Sequence, residues 1–128
     1  MMGDDPALPT ISILGVPFHS VTMDEAVRQI GRLMEEERVH QVVTVNPEFV
    51  MTAQEDAETM DLLQRAELSL ADGVGILYAA RWRGSPLPER VAGSDLIFRL
   101  AAEAAREGWR IFLLGAAPGV AEETAAIL

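Results

Sequence analysis

Ser69-Leu70-Ala71-Asp72-Gly73-Val74-Gly75-Ile76 is the stretch that decides the fold of this chain. A short apolar run ends in a carboxylate, two glycines follow, and apolar residues at helical spacing begin after them. This order is typical of a parallel strand that delivers an acidic side chain to the edge of an α/β sheet. Because ligands bind beyond the carboxyl ends of the strands in such sheets, Asp72 is the first candidate functional residue.

The composition is that of a globular domain. The chain has 128 residues, of which 49% are hydrophobic and 23% charged, and a chain of this size buries roughly two-thirds of its unfolded surface. The net charge is -10, which argues against a nucleic-acid partner. All ten basic residues are arginines, so lysine chemistry is excluded. The absence of cysteine excludes disulfides, thiol catalysis and cysteine–zinc sites.

The start of the chain lacks the basic and apolar regions of a signal peptide, and no apolar run reaches the length of a membrane span. We therefore expect a cytoplasmic protein. Residues 1–10 are predicted to be a flexible leader, and residues 11–128 a single α/β domain.

Predicted strands and helices alternate along the chain, which indicates a Rossmann-like parallel sheet flanked by helices. Strands are expected at 11–14 (ended by Gly15-Val16-Pro17), 40–45, 68–71 and 109–114. Helices are expected after the N-cap Thr22, after the N-cap Asn46, over 56–66, over 75–82, over 95–106 with Ser94 as N-cap, and from 120 onward. A doubly wound domain usually has more strands, so we expect a C-terminally truncated sheet.

Thr44-Val45-Asn46-Pro47-Glu48 lies where a strand gives way to a helix N-terminus. Backbone amides at such a point favour anions, and the side chains of Thr44 and Asn46 can donate or accept hydrogen bonds. The alternative interpretation is an ordinary N-cap that follows a strand threonine.

An acid at a strand end, such as Asp72, is a candidate general base. Gly73 and Gly75 allow a ligand to approach the backbone closely. The alternative is an aspartate that caps the next helix in a βα turn.

Arg81, Arg83 and Arg90 flank a proline-rich loop that leads to Gly93-Ser94-Asp95. Three arginines in an acidic protein suggest a phosphate or carboxylate clamp, with solvated loop arginines as the alternative. Gly115-Ala116-Ala117-Pro118-Gly119 follows the predicted strand at 109–114 and is either a phosphate- or ribose-binding loop or a plain tight turn. The two histidines, His19 and His40, have no metal-ligand spacing.

Taken together, these motifs resemble the WecG/TagA/CpsF family, glycosyltransferase family 26. They occur in the family's order and cover nearly all of the chain after residue 10. The matching stretches are Ile13-Leu14-Gly15-Val16-Pro17-Phe18 with Thr22-Met23-Asp24-Glu25-Ala26; Val43-Thr44-Val45-Asn46-Pro47-Glu48-Phe49-Val50; Ala71-Asp72-Gly73-Val74-Gly75; Pro86-Leu87-Pro88-Glu89-Arg90-Val91-Ala92-Gly93-Ser94-Asp95; and Phe112-Leu113-Leu114-Gly115 with Pro118-Gly119-Val120-Ala121.

The resemblance implies an inverting, metal-independent transfer of an N-acetylmannosamine-type sugar from a UDP donor, without a cofactor. The acceptor would be a polyprenyl-diphosphate-linked N-acetylglucosamine at the inner face of the cell membrane, in the synthesis of wall teichoic acid or a related polymer. Members of the family continue beyond the length of this chain, so the resemblance implies the core portion of a longer enzyme. An open sheet edge would also favour homo-oligomers.

The resemblance also implies residue roles. Asp72 matches the general base, Thr44 and Asn46 match pocket residues near the donor, and Arg90 matches an arginine near the diphosphate or acceptor. The other expected substrate-binding residues are Gly73, Gly75, Gly93, Ser94, Asp95, Gly115, Pro118 and Gly119.

Two alternative functions stay open from the sequence. A dinucleotide-binding domain would need GxGxxG early in the chain, which this sequence lacks. A non-catalytic Rossmann-like module, inactive because it is truncated, is the other alternative.

Overall fold

The computed structural model describes residues 8–128, so residues 1–7 of the predicted leader lie outside the described residues. The described part is a mixed α/β protein, in agreement with the predicted fold class. Its elements, in chain order, are β1 (Thr10–Ile13), β2 (Val16–His19), α1 (Met23–Met34), β3 (Val42–Val45), α2 (Pro47–Glu55), α3 (Ala57–Arg65), β4 (Leu68–Ala71), α4 (Val74–Trp82), α5 (Gly93–Glu107) and α6 (Val120–Ile127).

The chain divides into two compact units, Met1–Gly93 and Ser94–Leu128. The first unit holds both sheets and helices α1 to α4, together with the first residue of α5. The second unit holds the rest of α5, the connection that follows it, and α6.

The first strand is half of a hairpin that the sequence did not predict. β1 pairs antiparallel with β2, with Ile13 opposite Val16. The two-residue turn between them has φ of 51° at Leu14 and 86° at Gly15, as in the type I′ turns that match strand twist. The first strand does end at this glycine, as predicted, but the sequence reasoning missed β2, in which Pro17 is tolerated because the strand is short and lies at a sheet edge.

The parallel sheet consists of β3 and β4, with Val42 opposite Leu68 and Val45 opposite Ala71. Helices α2 and α3 form the connection between the two strands. All four residues of β4 are buried, as expected for a parallel strand that is covered on both faces. The predicted strands at 40–45 and 68–71 are thus confirmed in substance.

Helix starts follow the predicted caps in the first unit. Thr22 and Glu25 form a complete capping box at α1: the Thr22 Oγ1 accepts from the Glu25 N–H at 3.1 Å, and Glu25 Oε1 accepts from the Thr22 N–H at 2.9 Å. Asn46 is the N-cap of α2, with Pro47 at its first turn.

Residues 109–114 do not form the predicted strand. A strand needs a hydrogen-bonded neighbour, and within residues 8–128 the sheets contain β1 with β2 and β3 with β4. Several apolar side chains of this segment are accordingly exposed, Phe112 by 87% and Leu114 by 91%.

The hydrophobic core of the first unit lies between the hairpin, the parallel sheet and the helices. Its buried members are Ile13, Val16, Phe18, Val43, Val45, Val50, Ala53, Leu63, Ala71, Ile76 and Ala80. Two glutamines fix the hairpin turn to this core, because Gln54 donates to the Leu14 carbonyl and Gln64 to the Gly15 carbonyl, each at 3.0 Å.

His19 joins the hairpin to the parallel sheet. Its Nδ1 accepts the Ser69 N–H at 2.9 Å, so the ring must be unprotonated at that nitrogen. Burial of the half-buried ring lowers the pKa of His19 below its usual value. The neutral form of His19 therefore stabilises the fold.

We expect the free energy of unfolding to fall as the pH is lowered from about 7 to about 5, because the unfolded chain takes up a proton at His19 more readily than the folded chain. Urea unfolding of the wild type and of His19→Asn at several pH values measures this effect. The Asn Oδ1 can accept the Ser69 N–H without titrating, so the variant should show a shallower slope. The same substitution at His40 is the matched control, and equal slopes for His19→Asn and wild type would contradict the prediction.

Candidate active site at the carboxyl edge of the parallel sheet

The parallel register brings two of the predicted motifs to one edge of the sheet. β3 ends at Val45 and β4 at Ala71, which lie opposite each other. The next residues are Asn46 and Asp72, and the Asp72 N–H donates to the Val45 carbonyl at 2.9 Å. Asn46 and Asp72 therefore follow the paired ends of two adjacent strands.

Gly73 and Gly75 make room for Pro47. A Cβ on Gly73 would lie 3.1 Å from the Pro47 Cδ, and a Cβ on Gly75 would lie 2.9 Å from the Pro47 Cγ. Gly73 also has φ of +150°, which disfavours residues with a side chain. The starts of α2 and α4 can therefore approach closely, a packing reason for these glycines that the sequence reasoning missed. A substrate-binding role for them stays a prediction.

Asp72 makes a long-range hydrogen bond in place of a local cap. Its Oδ2 accepts the Gly93 N–H at 3.2 Å, across 21 residues of sequence. The N-cap of α4 is Gly73, and α4 has no side-chain cap hydrogen bond. The interpretation of Asp72 as a capping aspartate is therefore wrong, because its carboxylate is turned to the loop that follows α4.

Gly93 joins three parts of the edge. Besides its bond to Asp72, a Cβ at this position would lie 3.0 Å from the Thr44 Oγ1, so glycine is what allows the close approach to β3. α5 begins at Gly93, so Ser94 lies inside the first turn, and the prediction of Ser94 as the N-cap was wrong by two residues. Ser94 and Asp95 are exposed in the first turn of α5 and belong to the second unit.

Asn46 carries out the ordinary capping role. Its Oδ1 accepts the Phe49 N–H at 2.8 Å, which satisfies one of the unpaired amides at the start of α2. The side chain is exposed, so its amide NH2 group is at the surface of the edge. Capping leaves a donor on Asn46 that a ligand oxygen could accept from.

The loop between α4 and α5 closes the edge beside β4. The Val91 N–H donates to the Ala71 carbonyl at 2.7 Å, and Val91 and Ala92 are buried. Arg90 is exposed directly before this anchor. The Glu89 Oε1 accepts the Met23 N–H at the start of α1 at 2.7 Å. Sequence reasoning missed this role of Glu89, because no local signal marks a partner 66 residues away.

The turn that contains Gly115, Pro118 and Gly119 belongs to the second unit. It is exposed and leads into α6, with Gly119 as the N-cap at φ of +90°. The tight turn that the sequence allowed is confirmed. The proposed contact of these three residues with substrate stays a prediction.

Arg81 and Arg83, the other members of the predicted arginine clamp, are exposed at the end of α4. Within residues 8–128, no group of three or more histidine, cysteine, aspartate or glutamate residues could hold a metal ion. Over the same residues, none of the helices combines the length and apolar character that crossing a membrane would need.

Replacement of Gly75 by alanine should destabilise the protein by about 1 kcal/mol, because overpacking against the rigid Pro47 ring outweighs the better helix propensity of alanine. Urea unfolding of Gly75→Ala in the wild-type and Pro47→Ala backgrounds measures the coupling. Removal of the Pro47 ring should abolish or reverse the destabilisation. An equal cost in both backgrounds would show that the ring is not its cause.

The site described above lies within the part of the chain that a known family covers. The model of the family described as "Glycosyl transferase WecG/TagA/CpsF family" matches residues 11–128. This match spans both sheets, the carboxyl edge and the second unit. The chain therefore belongs to the WecG/TagA/CpsF family of glycosyltransferases.

Proposed function

We propose that the chain transfers an N-acetylmannosamine-type sugar from UDP to a polyprenyl-diphosphate-linked N-acetylglucosamine, with inversion at the anomeric carbon. The product would enter the synthesis of wall teichoic acid or a related surface polymer. Family membership supports glycosyl transfer. The donor, the acceptor and the residue roles are the content of the proposal.

The observation that carries the proposal is the placement of the Asp72 carboxylate. It lies at the carboxyl edge of the sheet, where ligands of α/β proteins bind. Its Oδ2 is held by the Gly93 N–H, and no hydrogen bond from residues 8–128 to its Oδ1 is present. The second oxygen is therefore oriented by the first and available to accept a proton from an acceptor hydroxyl.

An inverting transfer needs one base and one leaving group. In the proposed reaction the acceptor oxygen attacks the anomeric carbon while the bond from that carbon to the UDP oxygen breaks. UDP leaves with the electron pair of that bond, and Asp72 takes the proton of the acceptor hydroxyl. We assign hydrogen bonds to the donor to Thr44, which lies next to Gly93, and to Asn46, which caps α2.

The departing diphosphate needs positive charge in a strongly acidic protein. We assign this role to Arg90, which is exposed next to the anchored residue Val91. The N-terminal end of α2 also favours an anion, but Glu48 in its first turn opposes it. Arginine is thus the main source of stabilisation in the described part of the first unit, and the proposal requires neither a metal ion nor a cofactor.

The acceptor sets where the reaction takes place. A polyprenyl diphosphate is anchored in the lipid bilayer, so we propose that the chain acts at the inner face of the cell membrane as a peripheral protein. Ser94, Asp95 and the Gly115–Gly119 turn belong to the second unit, and a substrate-binding role for them stays a prediction.

Asp72→Asn should lower kcat for transfer by about 10²–10⁴-fold with the fold intact, because the amide cannot accept the proton. The Asn Oδ1 can still accept the Gly93 N–H, so thermal unfolding should change little. The measurement is turnover of UDP-N-acetylmannosamine with a short-chain lipid-diphosphate N-acetylglucosamine. Asp61→Asn, at an exposed site on α3, is the matched control and should keep full activity. Unchanged turnover in Asp72→Asn would exclude the role of base.

Transfer should continue at an undiminished rate in the presence of excess EDTA, because the proposal assigns leaving-group stabilisation to arginine and not to a cation. The same assay with added Mg²⁺ or Mn²⁺ is the control. A loss of turnover in EDTA that either ion restores would show that a metal takes part and would reject this element of the proposal.

A further inference from the structure

Glu89 connects the loop of the proposed site to the start of a distant helix. Its Oε1 accepts the N–H of Met23, the first residue of α1, at 2.7 Å. The first amides of a helix have no acceptor within the helix, and the helix N-terminus favours a negative charge. The contact is therefore a charge-assisted hydrogen bond between a loop and a fixed element of the first unit.

Local residues already provide the rest of the cap of α1. Thr22 and Glu25 satisfy each other's backbone N–H groups in the capping box. The Met23 N–H is left over from this exchange and is taken by Glu89. Glu89 therefore satisfies an amide that the capping box leaves over, and it also connects α1 to a residue 66 positions later.

Arg90 lies between two anchors of the loop. On one side of it the Glu89 side chain is bound to α1, and on the other side the Val91 N–H donates to the Ala71 carbonyl at 2.7 Å. Before Glu89, the preceding backbone anchor is the Ser85 N–H, which donates to the Ala80 carbonyl at 3.0 Å.

The stretch between the Ser85 anchor and Glu89 offers few backbone hydrogen-bond donors and little packing. Pro86 and Pro88 have no N–H to donate. Leu87 packs against the core only in part. The Glu89 bond anchors the loop directly before Arg90.

We propose that Glu89 is a positioning residue that fixes the backbone of Arg90, and through it the guanidinium at the leaving diphosphate. The inference rests on the proposed function, which gives Arg90 that role. Its physical basis is that a misplacement of about 1 Å can cost up to about 100-fold in rate. Asp72 depends less on Glu89, because the Val91 and Gly93 amides hold that part of the edge independently.

The first test is of the backbone and does not need activity. Glu89→Ala should raise the fast backbone mobility of the Arg90 amide in ¹⁵N relaxation measurements on the whole chain. Glu25→Ala is the matched control: it also removes an acid from the N-terminus of α1, but one whose hydrogen bonds are with Thr22. It should leave the Arg90 amide unchanged. Equal Arg90 mobility in wild type and Glu89→Ala, or an equal rise in both variants, overturns the inference.

The second test is a double-mutant cycle on transfer. Glu89→Ala should lower kcat/KM by about 10-fold, and Glu89→Gln, which keeps the acceptor oxygen, should restore most of it. In an Arg90→Ala background the effect of Glu89→Ala should disappear, because the two residues act as one unit. A purely structural role would instead give the same loss in both backgrounds, which would overturn the inference.

Failure of the proposed function gives a different pattern of results. If Arg90→Ala alone transfers sugar at the wild-type rate, Arg90 has no role at the diphosphate and that assignment is wrong. A raised Arg90 mobility in Glu89→Ala would then still support the anchor, whereas an unchanged mobility would overturn it. Activity and relaxation thus separate the two hypotheses.

Discussion

The contact between the Pro47 ring and the backbone of Gly73 and Gly75 is the constraint on which the candidate site depends. Two strand-to-helix turns meet there, and a Cβ added to Gly73 or Gly75 would lie only 3.1 or 2.9 Å from the ring. The starts of α2 and α4 are therefore close, and Asp72 stands directly beside this contact. If the starts of α2 and α4 lay further apart, Asp72 would move away from β3. The proposed base would then be separated from Thr44 and Asn46, the proposed donor-binding residues.

The two parallel strands form one part of the candidate site, and the loop before α5 forms another. The Val91 amide continues the hydrogen bonding of β4 beyond Ala71, and the Gly93 amide then reaches the Asp72 carboxylate. Because Gly93 also lies against Thr44, one residue links β3 to the carboxylate that follows β4. The absence of a side chain at Gly93 matters here for packing, whereas its N–H fixes the orientation of the proposed base.

Sequence reasoning succeeded where the signal was local. The Thr22–Glu25 capping box, the Asn46-Pro47 helix start and the buried strand before Asp72 are each written within a few residues. It failed where the structure of a segment depends on a distant partner. Residues 109–114 are apolar enough for a strand, but periodicity does not say whether a neighbouring strand exists. The bonds of Asp72 to Gly93 and of Glu89 to Met23 were beyond reach for the same reason, since they span 21 and 66 residues.

At the start of α4, the preference of aspartate for the N-cap position is not realised. Aspartate is among the best N-cap residues, and a missing cap costs a helix about 1 kcal/mol. Yet Asp72 stands one residue before the N-cap, and the cap position is Gly73, which offers no side chain. The carboxylate does not cap the helix, and its Oδ2 instead accepts the Gly93 N–H. A site that stabilised α4 better would hold its proposed base in the wrong place, so the weak cap is what one expects where function opposes local stability.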